Sequence, residues 1–160
     1  MEKKICSAII DTDGRKLNKG EFVEMALAVN GFGIRGYHKY STAFYTASDI
    51  EANGERYSVK SNQATLSDLC VTTKNNDLGK QYIIEGYMAV TNSTQFIYAS
   101  HIDDTIVYYI MDREEFRQFM YDMWVLCAKS SKKCKSGQTE YKLRIRKADT
   151  IVRKYLEERI

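Results

Sequence analysis

The stretch Asp49-Ile-Glu-Ala-Asn53-Gly54-Glu-Arg-Tyr57-Ser58-Val59-Lys60-Ser61 decides the fold. Asn53-Gly54 is the strongest short hairpin signal in the chain. Both central residues of a type I′ turn need positive φ, and Asn and Gly tolerate it best. With a two-residue loop and no bulge, Ala52 opposes Glu55, Ile50 opposes Tyr57 and Asp49 opposes Ser58. Side chains alternate faces along a strand, and directly opposed residues share a face. Asp49, Ser58 and Lys60 are therefore expected together on one face. Ile50, Tyr57 and Val59 are expected on the other, toward a core. Taken alone, such a trio is a cross-strand ion pair on a solvated face, worth little.

Upstream, Tyr40 to Glu51 is rich in Thr, Tyr and Phe and reads as the strand entering the turn. Before it, Gly31-Phe-Gly-Ile-Arg-Gly36 reads as a loop. A first helix is expected from Lys19 to Asn30, with Asn18 as its cap and Gly31 as its end. Phe22, Val23, Ala26 and Leu27 form its apolar stripe. Glu21 and Glu24 lie near its N-terminus, where the helix dipole favours carboxylates.

Downstream, Ala64 to Leu69 is expected as a short helix or turn, and Asp68–Lys80 as a polar loop. Gln81–Val90, Gln95–Ser100 and Thr105–Met111 read as strands. Asp112 to Ala128 reads as a helix, capped by Asp112 with Glu115 completing a capping box. Phe116, Phe119, Met120, Met123 and Leu126-Cys127 form its apolar side. Lys129–Thr139 reads as a basic loop and Tyr141–Arg146 as a half-buried strand. A last helix is expected from Ala148 to the end, with Ile151, Val152, Tyr155 and Leu156 toward the core. Helix, hairpin, mostly antiparallel strands, helix, strand and helix together give an α/β (α+β) fold: a mixed β-sheet flanked by helices.

The 160 residues fit one domain, 1–160, with no prolines, repeats or linker-like segments. No apolar run approaches the roughly 18 residues of a membrane helix. The N-terminal apolar stretch is too short for a signal peptide. No membrane association and a cytoplasmic location are the expectation. Cys6, Cys70, Cys127 and Cys134 form no C-x-x-C pair, and His38 and His101 lie far from each. Reduced thiols are expected rather than a structural zinc site. The net charge of +3 is uneven. From Lys129 onward 11 Lys/Arg stand against 4 Asp/Glu, giving +7, while residues 1–128 hold 13 basic and 17 acidic, giving −4. A basic end on an acidic body points to a polyanion partner.

The string Ser48-Asp49, seven residues that carry the turn, then Tyr57-Ser58-Val59-Lys60-Ser61 resembles the core of the PD-(D/E)XK nuclease superfamily. That pattern has an Asp at the end of one strand and Glu-x-Lys or Asp-x-Lys on the next. The likeness extends to residues 95–124, where strands lead into an aromatic-rich helix ending near Trp124. The resemblance implies a restriction-endonuclease-like fold and a metal-dependent DNA endonuclease that hydrolyses phosphodiester bonds with activated water. It implies Mg²⁺, with Mn²⁺ able to stand in, held by Asp49 and the backbone carbonyl of Val59, with Lys60 as the catalytic lysine. A homodimer is the expected assembly only because double-strand cutting by small nucleases generally needs two sites.

The departure from the pattern is Ser58, which stands where Glu or Asp is expected. A hydroxyl is a poor substitute for a carboxylate toward Mg²⁺. Three accounts compete. The first helix supplies the missing acid, through Glu21 (Lys19-Gly20-Glu21 looks like that element) or Glu24. Alternatively the chain is a catalytically inactive DNA-binding or protein-interaction module of the same fold, for example in a phage or mobile-element defence or counter-defence system. The third account is an accidental likeness. Gln63 is a candidate phosphate or base contact. Lys129, Lys132, Lys133, Lys135, Arg144 and Arg146 are candidate phosphate contacts.

Overall fold

A computed structural model describes residues 1–35, 49–61, 65–72, 80–124, 127–133, 138–145 and 148–160. For 65–72, 127–133 and 138–145 it describes the backbone and its pairing. The strand expected from Tyr40 therefore lies outside the described residues as far as position 48. So do Gln63, Lys135, Arg146 and His38.

The elements are β1 (Glu2–Ser7), α1 (Lys19–Ala26), β2 (Ile50–Ala52), β3 (Glu55–Ser61), β4 (Thr65–Thr72), α2 (Lys80–Val90), β5 (Gln95–Ile102), β6 (Thr105–Asp112), α3 (Arg113–Met123), β7 (Cys127–Lys133), β8 (Gln138–Ile145) and α4 (Ala148–Glu157). Five strands form a mixed sheet in the order β1-β6-β5-β3-β2, and β4-β8-β7 form a second sheet. In the larger sheet β3 and β5 are parallel, and the other neighbours are antiparallel. The expected mixed sheet flanked by helices is therefore the observed architecture.

The sequence of β5 explains the layering. Phe96 and Tyr98 join one core with Tyr109 and Met111 of β6. Against them pack Ile83, Ile84 and Tyr87 of α2, Phe116 and Phe119 of α3, and Val152 and Leu156 of α4. Ile97 and Ala99 join the opposite core with Ile106, Tyr108, Ile50, Tyr57 and Val59. That side is closed by Val23, Ala26 and Leu27. A strand covered on both faces needs apolar groups at consecutive positions, as β5 has. Phe96 stacks on Phe116 with ring centroids 4.1 Å apart.

The first helix starts where expected, on Asn18, whose side chain accepts the Glu21 N–H. Its end differs. Leu27–Gly31 widens into a π-helical turn. Gly31 is not in the left-handed conformation. Instead a Cβ there would stand 3.0 Å from the Tyr108 hydroxyl, so close approach to β6 accounts for the glycine.

Four expectations are corrected. Residues 81–90 are helix, not strand. Their Ile and Tyr content favours a strand locally, but Ile83, Ile84, Tyr87 and Met88 recur at helical spacing and are buried together. Thr65–Thr72 is a strand rather than a helix or turn followed by a loop. Lys129–Thr139 is not one loop: β7 runs to Lys133 and β8 begins at Gln138. Both β4 and β7 find their backbone partners on β8, and that pairing overrides weak local propensity. The helix from Asp112 has the expected cap and capping box but stops at Met123, with Trp124 as its C-cap. β1 carried no signal, because only Cys6 of its six residues is buried.

Asn53 and Gly54 have φ of 53° and 78°, as a type I′ turn requires. Gly54 has open space around the position a Cβ would take. Gly54→Ala should therefore cost only the left-handed backbone penalty, about 1–2 kcal/mol. A urea denaturation midpoint that does not fall would contradict the turn assignment.

Candidate functional site

The hairpin register is Ala52↔Glu55, Glu51↔Arg56 and Ile50↔Tyr57, so the next rung sets Asp49 against Ser58. β2 begins at Ile50, and the Val59 N–H lies one rung beyond the Asp49–Ser58 pair. It donates to Asp49 Oδ2 at 2.7 Å. The N–H and C=O of one residue point to the same side of a strand. The Val59 carbonyl therefore faces the Asp49 side as well.

On its other side β3 pairs with β5, with Ser58↔Phe96, Lys60↔Tyr98 and Ser61↔Ala99. Lys60 and Ser58 thus belong to the face covered by α2, α3 and α4. Ser58 is buried and Lys60 half-buried. The Lys60 Nζ stands 6.0 Å from the centre of the Tyr87 ring, at the outer limit of a cation–π contact. The solvated face of the simplest reading is thus replaced by one packed under a helix.

On this same face lies a cluster that the sequence did not announce. Tyr98, the register neighbour of Lys60, donates its hydroxyl to Asp149 Oδ1 at 2.9 Å. Ser100 donates to Asp149 Oδ2 at 2.7 Å. Burial and the adjoining Asp149 carboxylate push the Tyr98 phenol far above its ordinary range, so it stays a proton donor. Asp149 lies in the first turn of α4, where an acid is already explained by the helix dipole. Only the pairing of α4 with β5 brings it into this neighbourhood.

Glu21 is half-buried at the start of α1. Its carboxylate accepts the Asn18 N–H at 3.4 Å, completing the capping box. Glu24 is buried on the same helix. α1 packs on the sheet face opposite Ser58 and Lys60. Among the described residues no three His, Cys, Asp or Glu side chains are grouped as a metal ion would need. Lys129, Lys132 and Lys133 lie on β7 and Arg144 on β8. Arg144 is in register with Ala128 on one side and Thr65 on the other.

Asp49→Asn keeps an oxygen that can accept the Val59 N–H, so stability should change by less than about 1 kcal/mol. Asp49→Ala leaves that donor without its acceptor and should cost about 1–3 kcal/mol. Chemical denaturation of the two variants measures the difference, and equal stability would deny the contact a structural role.

Compared with known proteins, the chain matches no family model, no curated protein and no solved structure.

Proposed function

We propose that the chain is a metal-dependent phosphodiesterase acting on DNA, built on the PD-(D/E)XK plan that its hairpin resembles. The observation that carries this reading is the Asp49–Val59 contact. It puts a carboxylate, a backbone carbonyl and, one residue on, the Lys60 ammonium at one end of β3. The parallel neighbour β5 adds support. Ligand sites in sheets with parallel strands gather beyond the carboxyl ends of those strands, and Lys60 is the penultimate residue of β3.

The donor set fits Mg²⁺ in its sparse form. Mg²⁺ commonly keeps several waters and takes one or two carboxylates plus a substrate phosphate. Asp49 and the Val59 carbonyl would hold it. Glu21, or Glu24 on the same helix, would add the second acid. Bound there, the ion would polarise the scissile phosphate and lower the pKa of a coordinated water. Asp49 fixes its own position through the Val59 N–H. Lys60 offsets the negative charge that grows on the phosphate. Ser58, neutral and buried, contributes a hydroxyl but no charge, so metal affinity would rest on Asp49, the acid from α1 and the substrate phosphate.

A second reading has its own support. Without three clustered acids among the described residues, and with Ser58 in the acidic position, a catalytically inactive DNA-binding or protein-interaction module of the same fold accounts for the basic C-terminal fifth of the chain. Plasmid nicking in Mg²⁺ or Mn²⁺ separates the two. On the first reading the unaltered chain nicks DNA, and Asp49→Asn and Lys60→Met each lower the rate about 10²-fold or more while circular dichroism is unchanged. On the second there is no cleavage with either metal, while binding weakens steeply as salt rises. Absence of both cleavage and binding would sink the DNA assignment altogether.

A further inference from the structure

The carboxyl ends of β3 and β5 border a cavity of about 430 Å³ that the hairpin chemistry does not use. Ser61, the last residue of β3, and His101, near the end of β5, form one wall. Asn18, Lys19, Phe22 and Val23 at the start of α1 form the other. The volume falls within the range of small-molecule sites, about 300–1,000 Å³. Ser61 directly follows Lys60, so the cavity and the proposed catalytic lysine flank the same strand end from opposite faces of the sheet.

Two aromatic rings line this space. Phe22 and His101 are stacked with centroids 5.4 Å apart and planes 21° from parallel. Both are only half-buried, although Phe22 belongs to the apolar stripe of α1. The His101 ring is held by a contact of 2.8 Å between Nε2 and the Asp103 carbonyl. A carbonyl only accepts, so this nitrogen carries the proton. Asp103 has φ of 52° in the tight β5–β6 turn, which anchors the ring to the sheet. The Lys19 and Ser61 side chains add a cation and a hydroxyl. A fixed aromatic platform with a cation beside it is the arrangement that holds a nucleobase by its π-face and the adjoining phosphate by charge.

We infer that this cavity is a nucleobase subsite. It would receive an unstacked base of a nucleic-acid strand that crosses the sheet end next to Lys60. The inference rests on the DNA-acting reading and adds to it a preference for single-stranded or locally opened substrate. Stacking on Phe22 and His101 would supply affinity without much sequence preference, because every base has a π-face.

The test uses the full chain and a short single-stranded oligonucleotide carrying 2-aminopurine, read by anisotropy and by fluorescence quenching. The unaltered chain should bind it and quench the reporter. His101→Ala should weaken binding about 10-fold and lose the quenching, and His101→Tyr should restore both. Phe22→Leu, which keeps an apolar side chain against the sheet, should also lose quenching. Lys19→Gln should lower the slope of log affinity against log salt by about one. Binding that survives His101→Ala and Phe22→Leu with quenching intact overturns the subsite and leaves the DNA reading standing. If the unaltered chain binds neither this probe nor duplex DNA, the DNA reading fails and the subsite with it.

Discussion

The parallel pairing of β3 with β5 is the constraint on which the other features depend. Parallel neighbours cannot be joined by a tight turn, so the chain must leave the sheet and return across one of its faces. Here the return passes through β4 and α2. It lays Ile83, Ile84 and Tyr87 over the face that carries Ser58, Lys60, Phe96 and Tyr98. The opposite face is closed by α1 and its π-helical turn. Both faces being covered, a polar side chain at the middle of β3 meets packed groups rather than water, and only the strand end remains as a place for polar chemistry. The same pairing points the carboxyl ends of β3 and β5 in one direction, which puts Lys60, Ser61 and His101 within one neighbourhood.

Four tyrosines tie the helices together and to the sheet through carboxylates. Tyr98 reaches Asp149, Tyr109 reaches Glu157, Tyr121 reaches Glu85 and Tyr155 reaches Asp122. Burial, reinforced by the carboxylate each one meets, raises all four phenols, Tyr155 to about 12. They remain neutral donors at any physiological pH, which makes these links indifferent to ordinary changes of pH. The pairs also occupy oxygens of four acids in structural hydrogen bonds. Asp49 is placed differently: it accepts a backbone N–H of the adjacent strand, just before the first residue of β2.

The hairpin was legible because its determinants are local. Two residues that accept positive φ fix the turn, and the turn fixes the register through Ile50↔Tyr57. The helix caps at Asn18 and Asp112 were legible for the same reason, since a cap and its partner lie three residues apart. What failed was non-local. The segment 80–90 has strand-like composition, and only its burial stripe makes it a helix. β7 is polar and basic, and it is a strand because β8 lies beside it. The candidate site divides along the same line. Asp49, Ser58 and Lys60 come from one hairpin and could be placed together. Asp149 is separated from Tyr98 by 51 positions, and Phe22 from His101 by about half the chain, so no spacing rule could join them.

Ser58 is best understood through the same layering. The position is buried, between a hairpin partner that carries Asp49 and a β5 neighbour that is Phe96. A second carboxylate there would be stripped of water and set against a like charge, both of which favour its neutral form. A bound cation would have to be present to keep it ionised. A hydroxyl carries no such requirement, so the sheet can close over position 58 with or without metal. The cost would fall on any cation bound there, which would lack a charged ligand from the strand. An acid on α1 would have to reach the strand end from the other face, since its helix packs against Val59 rather than Ser58. Stability of the fold and the strength of any cation site at this strand end would therefore pull in opposite directions at this residue, and a serine favours the fold.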